Sequence, residues 1–243
     1  MPNGGALVAT DAWKSTFPGA VVGALVMIGV RNPERSAALG TQKRELEERL
    51  RARGARVGRD GVDSEPAVRA YVDYYRTHGK TYHVKAQWES VAVKGRSIPS
   101  RAALVEAMFM AELKNLILTA GHDLAAATLP VRVDVTREED EYVLMNGTER
   151  FLGAGDMMMV DGESIISSVL YGPDRRTRIG PETREVLFAV YAPAGVGEKA
   201  VRDHLEDLRS NVLLVAPEAE TRLLATLPAP LGRVDRSQSD VSM

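Results

Sequence analysis

Four histidines and no cysteines limit the chemistry open to this chain of 243 residues. Without thiols there is no disulfide, no thiolate nucleophile and no cysteine-ligated zinc or iron–sulfur centre. His122 and Asp123 follow Gly121 at the end of a long apolar segment. Two readings fit the pair. A histidine in a loop after a helix can orient water or act as a general base near neutral pH; alternatively, the helix dipole favours an imidazole there, with Asp123 capping the next turn. Asn115 likewise either presents an amide to a ligand or caps the helix. Arg175, Arg176 and Arg178 follow Gly172-Pro173-Asp174 on a turn that Pro173 fixes. Guanidinium forks suit phosphate, while the plainer reading is a solvated turn whose Asp–Arg pair contributes little. Asp156, Asp161 and Glu163 form a loose carboxylate cluster, but Gly155 and Gly162 mark them as turn residues and no calcium-loop spacing is present. No metal and no cofactor are expected. His78 and His83 flank Gly79 and Tyr82 and read as surface residues.

The elements that must position these residues are legible from pattern. Gly19 to Val30 has almost no polar face and reads as a strand buried on both sides. Asn32-Pro33 opens a charged helix with Leu39, Leu46 and Leu50 as its stripe and Gly54 as its stop. Ser64 and Pro66 start a second helix, with Val68, Tyr71, Val72 and Tyr75 on one face and Gly79 beyond its end. A third, from Ser100 to about Leu118, is apolar nearly all round and reads as a central buried helix. From Pro130 the texture turns to strands: Val131 to Thr136, Tyr142 to Met145 leading into the Asn146-Gly147 hairpin turn, Ile165 to Tyr171, and Val186 to Tyr191. A last helix spans Glu198 to Arg209 and a short strand Val212 to Val215. Together these predict an α+β fold of layered mixed or antiparallel sheet with one buried helix and flanking helices. Residues 1–228 read as a single domain, and 229–243 as a polar tail.

Three blocks of residues, in order, resemble the B3/4 editing domain of the phenylalanyl-tRNA synthetase β subunit. The first runs from Ile98-Pro99-Ser100 to Asn115, where Glu112 stands at the family's aspartate and Asn115 at its asparagine. The second is Thr119 to Ala126, in which Gly121 and Leu124 match and the family's histidine falls near Ala125. The third runs from Asn146-Gly147-Thr148-Glu149 through Asp161, Ile165-Ile166-Ser167-Ser168 and Thr183 to Val186-Leu187, with Phe188 at the family's glutamate. The likeness covers roughly residues 19 to 195. In synthetases the domain binds the 3′ end of tRNA and hydrolyses tyrosine wrongly attached to it, the glutamate recognising the phenol. Phe188 at that position points to a smaller or more apolar side chain.

The resemblance implies a trans-acting aminoacyl-tRNA deacylase, with Asn115, His122 and Asp123 near the ester. Gly121, Ser167, Ser168 and Phe188 would hold the acyl group, though adjacent strand residues face opposite sides, so at most one of the two serines lines the pocket. Arg175, Arg176 and Arg178 would meet the tRNA phosphates. Because an aminoacyl ester is already activated, positioning and hydrogen-bond donors can supply most of the acceleration without a covalent nucleophile. The alternative is a non-catalytic tRNA- or amino-acid-binding module, and a third reading is an enzyme that reuses the pocket on a small metabolite. A net charge of −2 gives no global basic field, so tRNA would be met by a local patch or through its aminoacyl end. No DNA partner is expected. No apolar run approaches the roughly 20 residues that span a bilayer, and the N-terminus lacks signal-peptide order, so the expected location is the cytoplasm.

Overall fold

The computed structural model describes residues 7–100 and 102–228, so the expected tail at 229–243 lies outside the described residues. In chain order the first half holds β1 (Leu7–Ala9), α1 (Asp11–Thr16), β2 (Val21–Ile28), α2 (Ala37–Val57), α3 (Pro66–Thr77), α4 (His83–Ala92) and α5 (Ala103–Asn115). The second half holds β3 (Thr119–Asp123), β4 (Val131–Val135), β5 (Glu141–Val143), β6 (Glu149–Phe151), β7 (Met157–Val160), β8 (Ile165–Ser168), β9 (Gly172–Pro173), β10 (Glu185–Ala192), α6 (Glu198–Val215) and β11 (Glu220–Pro228).

The protein is α+β. One antiparallel sheet has the order β11-β2-β10-β3, with β2 and β10 paired from Val21 opposite Ala192 to Ile28 opposite Glu185. The apolar run read as a buried strand is β2 at its centre. The second sheet has the order β1-β4-β7-β8-β9 and is antiparallel except where β1 meets β4. β5 and β6 form a separate hairpin whose turn passes through Gly147 at φ 86°, as Asn146-Gly147 predicts.

Two faces of the first sheet are covered differently. On one, α6 packs so closely that a side chain starting at Gly23 would meet Val201 Cγ1 at 2.5 Å. On the other, Tyr191 on β10 bonds through its hydroxyl to Ser167 on β8. α5 lies between α2, α4, α6 and β3, with Leu104, Ala107, Met110, Ala111 and Leu113 buried, which makes it the central helix its composition implies. No helix among the described residues is long and apolar enough to cross a membrane.

Several boundaries differ from the sequence reading, each for a local reason. Gly54 does not stop α2, which runs on to Val57 and ends at Gly58. Its glycine lets the end of α4 approach, since a Cβ there would sit 2.3 Å from Ala92 O. α5 starts at Ala103 because Asn32, distant in sequence, accepts the Leu104 amide at 3.0 Å. Val212 to Val215 belongs to α6, whose buried stripe Val201, Leu205, Leu208 and Val212 keeps the helical period through the β-branched residues. The segment at 119–123 is a strand and not the loop expected around His122. Substituting Gly54→Val should lower stability by about 1–3 kcal/mol, because the obstructing atom is backbone and cannot rotate away; urea unfolding checks this, and unchanged stability contradicts the close approach.

Candidate functional site

α5 ends at Asn115 and the chain turns through Leu116 in a left-handed conformation, φ 57°, before entering β3. The turn leaves a gap between α5, the outer edge of β3 and the β8–β9 strands. The gap is a pocket of about 210 Å³ with walls of Val105, Met108, Phe109, Leu118 and Ile179. Gly121 lines it as well. Any side chain at this position would begin 2.7 Å from Ile179 Cδ1, so the glycine keeps the space open. Phe188 lies directly behind, paired with Gly121 across the ladder and fully buried.

The polar groups in this pocket are few: Glu112, Thr119, Ser168, Tyr191 and His83. Glu112 is 1% exposed. Its Oε1 accepts the Thr119 amide at 2.7 Å, and its other oxygen makes no hydrogen bond among the described residues. Burial pushes its pKa up to about 8, against which the Thr119 hydrogen bond acts only partly. At neutral pH it is therefore mainly a carboxylic acid with a proton to donate. Ser168 lines the pocket while Ser167 turns to Tyr191, as strand alternation requires. His83 is solvent-exposed, as the sequence indicates, yet it contributes to this lining and its Nδ1 lies 3.3 Å from Tyr75 OH.

The residues the sequence places near an ester do not converge here. Asn115 turns toward α6, donating to Asp207 Oδ2 at 2.9 Å with His204 Nδ1 at 3.3 Å. His122 is fully buried on β3, its Nδ1 2.8 Å from Thr177 Oγ1, and the Thr177 hydroxyl in turn donates to Asp174. Nε2 has no hydrogen-bond partner among the described residues. Burial lowers the His122 pKa to about 3, so the ring is neutral. Asp123 accepts from Ala125 N and from the Thr183 hydroxyl. Sequence reasoning missed the pocket role of His83, because nothing local in the chain shows that α4 lies beside the end of α5.

A second, open cleft of about 760 Å³ holds Asp123, Glu163, Arg175, Arg176 and Arg178. The three arginines differ sharply. Arg176 is held at the cleft wall by Asp161 Oδ2 at 2.7 Å and Ala126 O at 2.6 Å. Arg175 and Arg178 are exposed and make no ion pair among the described residues. Asp161 also accepts amides from Thr128, Glu163 and Ser164, which makes it the organiser of a turn. Among the described residues no cluster of three or more His, Asp or Glu side chains is arranged to hold a metal ion.

The fold and pocket define an α+β protein with a small, mostly apolar cavity. No family model and no curated protein matches the chain. Among solved structures it is similar to an N-terminal fragment of the phenylalanyl-tRNA synthetase beta subunit from Pyrococcus horikoshii, at 10% identity and a TM-score of 0.46. The alignment covers 86% of this chain and 48% of the fragment, so the chain spans about half the fragment's length. This is a weak likeness at the level of the fold.

The raised Glu112 pKa has a consequence for stability. Relative to its unfolded value of 4.5, the native carboxyl holds its proton longer, so its contribution is complete below pH 4.5 and is lost as pH rises through about 8. His122 works in the opposite sense: stability linked to its depressed pKa is present above 6.5 and lost as pH falls toward 3. Unfolding free energy of the native protein should therefore fall by on the order of 2 kcal/mol between pH 6 and 9 relative to Glu112→Gln. Parallel pH profiles for the two proteins contradict a protonated Glu112.

Proposed function

We propose that this chain is a trans-acting aminoacyl-tRNA deacylase that removes a compact, apolar amino acid from mischarged tRNA. The observation that carries the reading is the mostly apolar pocket lined by one buried carboxyl, Glu112, whose pKa burial pushes up to about 8. At about 210 Å³ it is smaller than the roughly 300–1,000 Å³ of sites for drug-sized ligands, and suits one amino-acid side chain. The order of the motif blocks that resemble the B3/4 domain supports the same substrate, with residues 1–228 as one such domain. Glu112 then replaces the family's aspartate as the polar group at the acyl end. Gly121 and Ser168 border the acyl group, and Phe188 backs the cavity without a polar atom to recognise a phenol. Arg175 and Arg178 extend from the neighbouring cleft toward the phosphates of the tRNA end, while Arg176 braces the turn that carries them.

Hydrolysis on this reading needs a water aimed at the ester carbonyl carbon and a proton for the departing ribose oxygen. Glu112 supplies that proton from a desolvated position, where a hydrogen bond is worth more than in water. Asn115 and His204 act behind it, His204 Nε2 lying 2.7 Å from the Thr119 hydroxyl at the pocket edge. The second reading, an amino-acid- or tRNA-binding module without turnover, is favoured by one observation: Asn115 and His122 are engaged outside the pocket.

Incubating the purified chain with tRNAs separately charged with alanine, valine, leucine, methionine, phenylalanine and tyrosine separates these readings. Deacylation should favour the compact apolar residues over tyrosine, and Gly121→Val should reduce it at least 10-fold by filling the pocket. Tight binding with no release of amino acid selects the binding module, and preference for tyrosine contradicts the role given to Phe188.

A further inference from the structure

One pocket residue has its hydrogen placed by counting protons. Tyr75 OH donates its single proton to Val169 O at 2.8 Å. At His83 Nδ1, 3.3 Å away, the same phenol oxygen has only a lone pair to offer. The imidazole therefore carries its hydrogen on Nδ1, and Nε2 keeps its own lone pair. The ring meets Tyr75 and Tyr82 edge-to-face, with centroids 5.9 and 6.1 Å away. Partial desolvation lowers the His83 pKa below the ordinary histidine value, which favours the neutral ring. His83 on α4 and Glu112 on α5 are the pocket's ionisable residues besides Tyr191, whose pKa burial raises. One brings a free lone pair and the other a held proton. His122, the histidine that the sequence singles out, is outside the pocket lining.

We infer that His83 is the general base of this pocket, withdrawing a proton from the water that attacks an acyl ester bound there; the inference rests on the ester-hydrolysis reading above. As the water oxygen bonds to the carbonyl carbon, its proton passes to His83 Nε2. When the carbon–oxygen bond to the ribose breaks, the leaving oxygen takes the Glu112 proton and becomes a hydroxyl. The products are the free amino acid and an uncharged tRNA end. Transfer of the proton from imidazolium to the Glu112 carboxylate through solvent restores both groups. This pairing of a basic and an acidic group in one site follows the general pattern of acid–base catalysis, in which environments push two titratable groups apart.

The same six charged tRNAs test it with the full chain. His83→Ala should lower kcat about 10²-fold or more while KM changes little, and added imidazole should restore part of the rate; His83→Gln should be equally slow. If the native chain hydrolyses one of the six and His83→Ala keeps its kcat, the base is another group and the deacylase reading stands. If the native chain hydrolyses none, both fall together. An independent check uses nitrogen-15 NMR of the native chain: His83 should be neutral at pH 7 with its hydrogen on Nδ1, and a hydrogen on Nε2 overturns the assignment whatever the activity.

Discussion

Backbone that leaves regular structure inside the core must find hydrogen-bond partners there, and in this protein tyrosine hydroxyls provide them. Tyr82 OH donates to Leu116 O at 3.0 Å, where α5 breaks. Tyr71 OH accepts the Leu118 amide and donates to Tyr191 O, tying β3 to β10 across the same break. Tyr75 OH donates to Val169 O after β8, and Tyr74 OH accepts the Met157 amide while donating to Asp156. A buried peptide group left without such a partner costs about 1–3 kcal/mol. The rings also pack on one another, Tyr71 and Tyr82 stacking at 4.6 Å. Three of these four tyrosines lie on α3, and two of them, Tyr71 and Tyr75, bond to Leu118, Tyr191 and Val169, which border the pocket.

That arrangement also decides the electrostatics. Because the walls are apolar and the carboxyl sits deep among them, Glu112 is held in its neutral form, and the fully buried His122 and His204 are neutral for the same reason. The pocket lining thus presents proton donors and lone pairs and no net charge. The neighbouring cleft is the reverse, open and lined with mixed charges. The connection from Gly172 to Thr183 borders both spaces.

Much of the scaffold was legible in the chain. The run from Gly19 to Val30 has no polar face, the tyrosines and valines after Pro66 repeat at helical spacing, and Asn146-Gly147 demands a tight turn. What escaped was set by tertiary contact. α4 has a mixed composition and is helical because Trp88, Val84 and Val91 bury against its neighbours. β3 contains glycine, histidine and aspartate and is a strand only because β10 pairs with it. The site shows the same division: the sequence points to Gly121 and Ser168, which border the pocket, whereas it marks Glu112 only through the B3/4 resemblance and His83 only as a surface residue. Their meeting depends on where α5 breaks and α4 docks, which no local pattern encodes.

On the proposed reading, the pocket between α5 and β3 receives an apolar aminoacyl group. Titrating the full chain with a non-hydrolysable adenosine bearing a leucyl amide at its 3′ position, followed by amide chemical shifts, tests it directly. Saturable shifts confined to Thr119–Gly121, Ser168–Val169 and the end of α5 are the predicted result. Shifts restricted to the open cleft around Arg175 and Arg178, or none at all, contradict the assignment of the pocket.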